Sequence, residues 1–168
     1  HHQPGAKVAF IGPCAAKKLE AMRRTVRSEV DFVLTFEEMA GIFEARHIDV
    51  NTLKEDPHGV NDASADGRNF AVSGGVAQAV VNVIKEKYPD REIKVANAEG
   101  LSECRKLMMM AKAGKYNGYL LEGMACPGGC VAGAGTIIPA EAAKKQLDAH
   151  VKQATVFSCA ESPYRAFA

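Results

Sequence analysis

The sequence predicts an α/β protein built on a roughly four-stranded, mostly parallel sheet flanked by helices. Three observations carry that expectation. Short apolar runs rich in strand formers alternate with longer stretches of helical periodicity, and such alternation implies βαβ crossovers. Gly, Pro, Ser and Asn punctuate the junctions between them. No internal repeat and no linker-like segment divides the chain, so residues 1–168 are expected to form a single domain.

Lys7-Val8-Ala9-Phe10-Ile11 reads as a buried strand ended by Gly12-Pro13. Cys14 follows at once, and Ala15 to Arg27, rich in Ala, Lys, Glu and Arg, reads as a helix. Cys14 therefore falls at a strand-to-helix turn, where the positive end of the helix dipole favours thiolate, with Lys17 one turn further on. Asp31 to Leu34 is a second strand. Thr35-Phe36-Glu37-Glu38 has the form of a capping box opening a helix to about Ala45. From Asn51 to Asn69 the chain is rich in Asp, Asn, Gly and Pro, a loop of about nineteen residues against a usual median of about five. Phe70-Ala71-Val72 is a brief apolar piece before Ser73-Gly74-Gly75. The helix Val76 to Lys87 follows, with Val76, Val80, Val83 and Ile84 on its apolar face. Glu92 to Ala96 alternates as a strand, and Leu101 to Ala113 is a helix stopped at Gly114, where the lack of a Cβ suits a C-cap. Asn117 to Leu121 is the fourth strand. Pro139 suits the first turn of a last helix reaching about Gln153. The tail from Thr155 to Ala168 shows only a turn at Ser162-Pro163.

Composition excludes several classes. With 47% hydrophobic and 24% charged residues the chain has the make-up of a globular domain. No apolar run approaches the roughly 20 residues that cross a bilayer, so no membrane span is expected. A net charge of +1 gives no electrostatic footprint for nucleic acid, and the absence of Trp weakens any base-stacking role. His1-His2 lead into the polar Gln3-Pro4-Gly5 rather than an apolar leader, so no signal peptide is read. The five cysteines, an odd number in an Ala- and Lys-rich chain, suit reduced thiols in a cytoplasmic protein better than a disulfide framework.

The chemistry concentrates in Glu122-Gly123-Met124-Ala125-Cys126-Pro127-Gly128-Gly129-Cys130, after the apolar Tyr119-Leu120-Leu121. Two soft thiolate donors sit four residues apart among glycines that let the backbone approach a bulky inorganic group. A local disulfide, two structural thiols and a zinc site are the rivals, although structural zinc usually takes a second Cys pair. Cys14 ends a different strand, and in a parallel sheet both strand ends fall on one edge. Cys104 reads as an inert thiol within its helix, Met108-Met109-Met110 as helix packing, and His47 and His58 as exposed; Ser73-Gly74-Gly75 before a helix is a weak anion-site signal. Spacing thus reaches three thiolate candidates, one fewer than a 4Fe–4S cluster takes.

Ile11-Gly12-Pro13-Cys14-Ala15-Ala16-Lys17-Lys18-Leu19-Glu20 resembles the second signature of the FeFe (iron-only) hydrogenases, and the Glu122–Cys130 motif resembles their third. Asp31 to Thr35, Phe70 to Val76 and Val95 to Leu107 also resemble family segments, in family order. The resemblance implies that Cys14, Cys126 and Cys130 are three ligands of the 4Fe–4S part of an H-cluster. Cys130 would also bridge to a 2Fe subcluster carrying carbonyl and cyanide. Lys17 would donate to a cyanide, Met124 would pack beside the 2Fe unit, and Glu20 would support the ligands from outside.

Two departures qualify the match. The family's first signature, a Thr-Ser/Ala-Cys-Cys/Ser-Pro segment that supplies the fourth ligand, is not in the sequence. Gly12 stands where catalytic members carry Met, as it does in branches with sensory roles. The expectation is therefore a C-terminal part of an H-cluster domain, one lobe of the catalytic domain, inactive and without cluster when isolated. Its implied partners are the N-terminal part of the same protein, a ferredoxin-like iron–sulfur electron donor and H-cluster maturation proteins. A non-catalytic or sensory iron–sulfur homologue is the alternative.

Overall fold

The computed structural model describes residues 5–23, 25–26, 29–54 and 63–163. The chain divides into two compact units, His1–Pro57 with Gly133–Pro139, and His58–Ala132 with Ala140–Ala168.

In the first unit, β1 (Ala9–Ile11) leads through α1 (Ala16–Met22) to β2 (Phe32–Leu34), which pairs with β1 in parallel with Phe10 opposite Val33. The ladder closes where the Gly12 amide donates to the Leu34 carbonyl at 3.0 Å. Helix α1 stops well before the expected Arg27. Arg23 is already extended (ψ 123°), and the β-branched Thr25 and Val26 beyond it lose side-chain freedom in a helix. Arg24, Arg27 and Ser28 lie outside the described residues.

Helix α2 (Phe36–Ala45) opens on the expected capping box with both arms formed. The Thr35 hydroxyl accepts from the Glu38 amide at 3.2 Å, and the Glu38 carboxylate accepts from the Thr35 amide at 2.8 Å. Lys18 Nζ reaches the same carboxylate at 2.6 Å and ties α1 to the start of α2. That ammonium first, and the Thr35 amide second, hold the Glu38 carboxyl below its ordinary value. Between the two turns runs Gly135, whose amide donates to the Pro13 carbonyl at 2.9 Å. A Cβ there would stand 2.6 Å from Thr35 Cβ, so only glycine fits. Ile11, Leu19 and Phe32 are about half exposed, and among the described residues the buried apolar ones belong to the other unit.

In the second unit, α3 (Ala65–Arg68) precedes α4 (Gly75–Lys87), and β3 (Lys94–Glu99) crosses through α5 (Leu101–Lys112) to the parallel β4 (Tyr119–Met124). Helix α6 (Ala140–Lys152) follows. The core is Ala77, Ala79, Val81, Ala98, Leu107, Val131 and Ala154.

The α/β class, the four strands and their parallel pairing are as the sequence predicts, with the strands shared between two two-stranded ladders. Other expectations need correction. The Asn51–Asn69 stretch is not one loop. It carries a 3-10 turn at Val50–Thr52 and helix α3, whose Ser64 cap accepts from the Gly67 amide at 3.0 Å; residues 55–62, His58 among them, lie outside the described residues. The buried residues of α4 are mostly small, Gly75, Ala77, Ala79 and Val81 on two sides of the helix, whereas Val80 is exposed. Small side chains let a helix approach its neighbours closely, and here they outweigh the valine stripe. Met108 and Met109 are exposed, and Leu107 alone of that run is buried.

Candidate metal centre

Strand β4 runs three residues beyond the expected Leu121, because Asn97, Ala98 and Glu99 of β3 pair with Glu122, Gly123 and Met124. The cysteine loop therefore starts at Ala125, leaving the C-terminal end of a parallel strand, the edge at which open α/β sheets gather ligands. Gly128 and Gly129 take φ values of +88° and +96°, a backbone region that side chains rarely enter. The Gly129 amide donates to the Cys126 carbonyl at 3.0 Å, which folds the loop, and a 3-10 turn at Cys130–Ala132 ends it.

The loop is seated on the turn before α4. The Ser73 amide donates to the Gly128 carbonyl at 3.2 Å. A Cβ on Gly129 would stand 2.6 Å from the Ser73 nitrogen and 2.7 Å from the Ala71 carbonyl oxygen, so the backbones meet where no side chain fits.

Two carboxylates complete the lacing, and the sequence reading assigned neither a role. Glu122 is buried, and its carboxylate accepts from the amides of Gly74 and of Ala77, the latter at 3.0 Å. At the weak anion-site signal before α4 the structure places the chain's own Glu122, at the positive end of that helix. Glu99, the last residue of β3, accepts from the Gly128 amide at 2.8 Å. That amide first, and the Ser73 hydroxyl second, hold its carboxyl below the ordinary value, with Lys144 adding a weaker pull. The signal for Glu122 was present in the sequence: a carboxylate right after three apolar strand residues needs a buried partner. No comparable local signal marks Glu99, because its partner lies 29 residues away.

The predicted site residues divide between the units. Cys126, Cys130 and Met124 are half-buried in the second. Cys14 and Lys17 are half-buried in the first, with α1 starting two residues after Cys14. Lys17 Nζ contacts the two carboxylate oxygens of Glu20 at 2.8 and 3.0 Å, so the signature's lysine and glutamate form an ion pair. Cys104, half-buried on α5, packs against the ends of β3 and β4. Its Sγ lies 3.6 Å from the carbonyl oxygens of Ala98 and Met124, and a Cβ on Gly123 would meet it at 3.1 Å.

Among the described residues, no three His, Cys, Asp or Glu side chains cluster as ready metal ligands. The donor chemistry of the loop nonetheless fits an iron–sulfur group. All five cysteines are thiols outside any disulfide, and Cys126 and Cys130 stay half-exposed on a backbone that glycine keeps open.

A family model described as the iron only hydrogenase large subunit, C-terminal domain, matches residues 2–134. The chain is 32% identical to the periplasmic Fe hydrogenase large subunit of Nitratidesulfovibrio vulgaris, over 74% of its own length and 37% of that protein's. It is 26% identical to the nuclear prelamin A recognition factor of Xenopus laevis, over 75% of its length and 36% of the relative's. Thus the chain spans about a third of the length of these curated relatives. The fold resembles that of an FeFe-hydrogenase HydA1 from Chlamydomonas reinhardtii with a TM-score of 0.64 at 22% identity, covering 94% of this chain and 56% of the other.

Proposed function

The chain belongs to the family of the iron-only hydrogenase large subunit, C-terminal domain, and on that premise we propose that it is part of an FeFe hydrogenase reversibly reducing protons to H2 at an H-cluster. The observation that carries this reading is the Cys126–Cys130 loop, two accessible thiols on a glycine backbone fixed at a parallel strand end. Residues 1–168 are read as one domain, the C-terminal part of the H-cluster domain. When bound, the cluster supplies the electron storage and the metal that proton reduction needs.

The chain's own residues then have distinct tasks. Cys14, Cys126 and Cys130 would bind the 4Fe–4S part as thiolates, with Cys130 also bridging to the 2Fe subcluster. Cys14 and Lys17 join this set through the signature they match, not through a distance. Lys17 has three N–H donors, and Glu20 orients its ammonium while leaving capacity for an anionic cyanide. Met124, half-buried at the end of β4, would offer a polarizable side chain to pack beside the 2Fe unit.

The N-terminal part of the same protein would bring the fourth ligand, a ferredoxin-like donor the electrons, and maturation proteins the 2Fe subcluster. A cytoplasmic location is part of the proposal; no helix among the described residues is long and apolar enough to cross a membrane, and one relative is named periplasmic.

Anaerobic incubation with ferrous iron and sulfide tests the ligand set. Cys14→Ser, Cys126→Ser and Cys130→Ser are each expected to lower iron–sulfur uptake, and Cys104→Ala to leave it unchanged. Equal loss in Cys104→Ala, or tight stoichiometric zinc with no iron–sulfur uptake, would overturn the assignment. In the matured parent, infrared bands of carbonyl and cyanide are expected, and a fully loaded protein without them would refute the H-cluster.

A second reading, a sensory or otherwise non-catalytic iron–sulfur protein, draws support from Gly12. A Cβ at that position would stand 2.8 Å from the ring of Phe10, so the space a methionine would enter is already taken by an aromatic side chain. The similarity to a protein named for prelamin A recognition points the same way. Hydrogen evolution by the matured parent, with a chemical reductant as electron source, separates the two readings.

A further inference from the structure

Three residues separate the two thiols, Pro127, Gly128 and Gly129, and the Gly128 amide is held by a side chain from elsewhere, the Glu99 carboxylate at 2.8 Å. Glu99 cannot drift from this position easily. It ends β3 with its backbone paired to Met124, and the Ser73 hydroxyl bonds its carboxylate. Ser73 in turn donates its own amide to the Gly128 carbonyl, so both faces of one peptide-linked residue are gripped. The carboxylate lines a cavity of about 210 Å³ with Val72, Ser73, Gly128 and Lys144, open to solvent. Gly128 lies two residues from Cys126 and two from Cys130, so a charge bound there sits within the segment that carries both thiols.

We infer that Glu99 is a positioning residue for the cysteine loop, fixing Gly128 and placing a permanent negative charge beside the cluster that the two thiolates would bind. The inference rests on the reading of that loop as a cluster site. Iron–sulfur potentials respond to net charge and to N–H groups near the sulfurs. Glu99 works on both, adding a negative charge and withholding the Gly128 N–H from any sulfur. It therefore favours the oxidised cluster and lowers its reduction potential.

The test uses the whole chain, first without metal and then loaded with ferrous iron and sulfide, as wild type, Glu99→Gln and Glu99→Ala. Without metal, Gly128 amide exchange followed by NMR is expected to rise about tenfold in Glu99→Ala, the loss of one hydrogen bond to a charged group. In Glu99→Gln the side-chain carbonyl still accepts, and exchange is expected to stay near wild type, with the Gly114 amide as an unaffected reference. In the loaded proteins, Glu99→Gln is expected to have a more positive midpoint potential than wild type despite its intact loop, a shift that a merely structural role would not produce. Unchanged Gly128 exchange in Glu99→Ala, or equal potentials in loaded wild type and Glu99→Gln, overturns the inference. If wild type takes up no iron–sulfur even together with the N-terminal part of the same protein, while the exchange contrast holds, the positioning role stands and the cluster reading is what fails.

Discussion

Replacing Gly129 by Ala tests directly whether the cysteine loop is seated as described. At φ +96° the new Cβ would face the Ser73 nitrogen at 2.6 Å, the Ala71 oxygen at 2.7 Å and the Val72 carbonyl carbon at 2.8 Å. All three are backbone atoms, so no side chain can swing aside. The left-handed backbone costs about 1–2 kcal/mol for a residue with a Cβ, and forcing a methyl into filled space adds about 1–3 kcal/mol. The expected loss is therefore about 2–5 kcal/mol. Gly100→Ala carries backbone strain without the clash, because Gly100 has φ +83° and ψ 147°, a region nearly confined to glycine, with nothing within 4 Å of its Cβ position; a loss of about 1–3 kcal/mol is expected there. Gly41→Ala reverses the sign. It lies inside α2 with open space around it, and alanine should stabilise by about 0.5–1 kcal/mol. Urea unfolding followed by far-UV circular dichroism suits the chain, which has no Trp. Equal losses in Gly129→Ala and Gly100→Ala would refute the close approach of the loop to residues 71–73.

Glu122→Ala strands the amides of Gly74 and Ala77 at the start of α4 and is expected to cost about 2–3 kcal/mol, read from the urea midpoint. A loss below about 0.5 kcal/mol would mean that water replaces the carboxylate. Arg68→Met removes a buried guanidinium that donates to the Ala63 and His150 carbonyls at 3.0 and 2.7 Å, and the same assay should show a loss of about 2–3 kcal/mol. Glu38 has a folded-state pKa below its ordinary 4.5, so its contribution is present above that pH and fades as pH falls through the lower folded value. The melting temperatures of wild type and Glu38→Gln should converge on acidification below pH 4.5; a gap that widens would contradict the Lys18 pairing.

Local chemistry made much of this architecture legible. The Thr35–Glu38 box and the Gly114 stop, whose φ is +85°, are short-range devices, and the structure forms both as read. A second box, Ser158 with Glu161, was equally readable in the tail but stands on only a 3-10 turn, too short for a periodicity to announce it. The far end of β4 was not legible. Glu122-Gly123-Met124 has neither alternation nor strand propensity, and it is extended because β3 offers it backbone partners. Likewise the cysteines of the loop were plain from their spacing, whereas the role of Glu99 exists only through a contact 29 residues distant.

The grip on the cysteine loop also sets an order of events. Its anchors span 29 residues from Glu99 to Gly128 and 48 from Gly74 to Glu122, and each closure costs chain entropy that only a formed β3–β4 ladder and helix α4 can offset. The place of the loop therefore depends on elements far from it in sequence. In small zinc domains the ion itself drives the chain to fold; the cysteine loop here is held instead by hydrogen bonds and strand pairing from distant parts of its own unit.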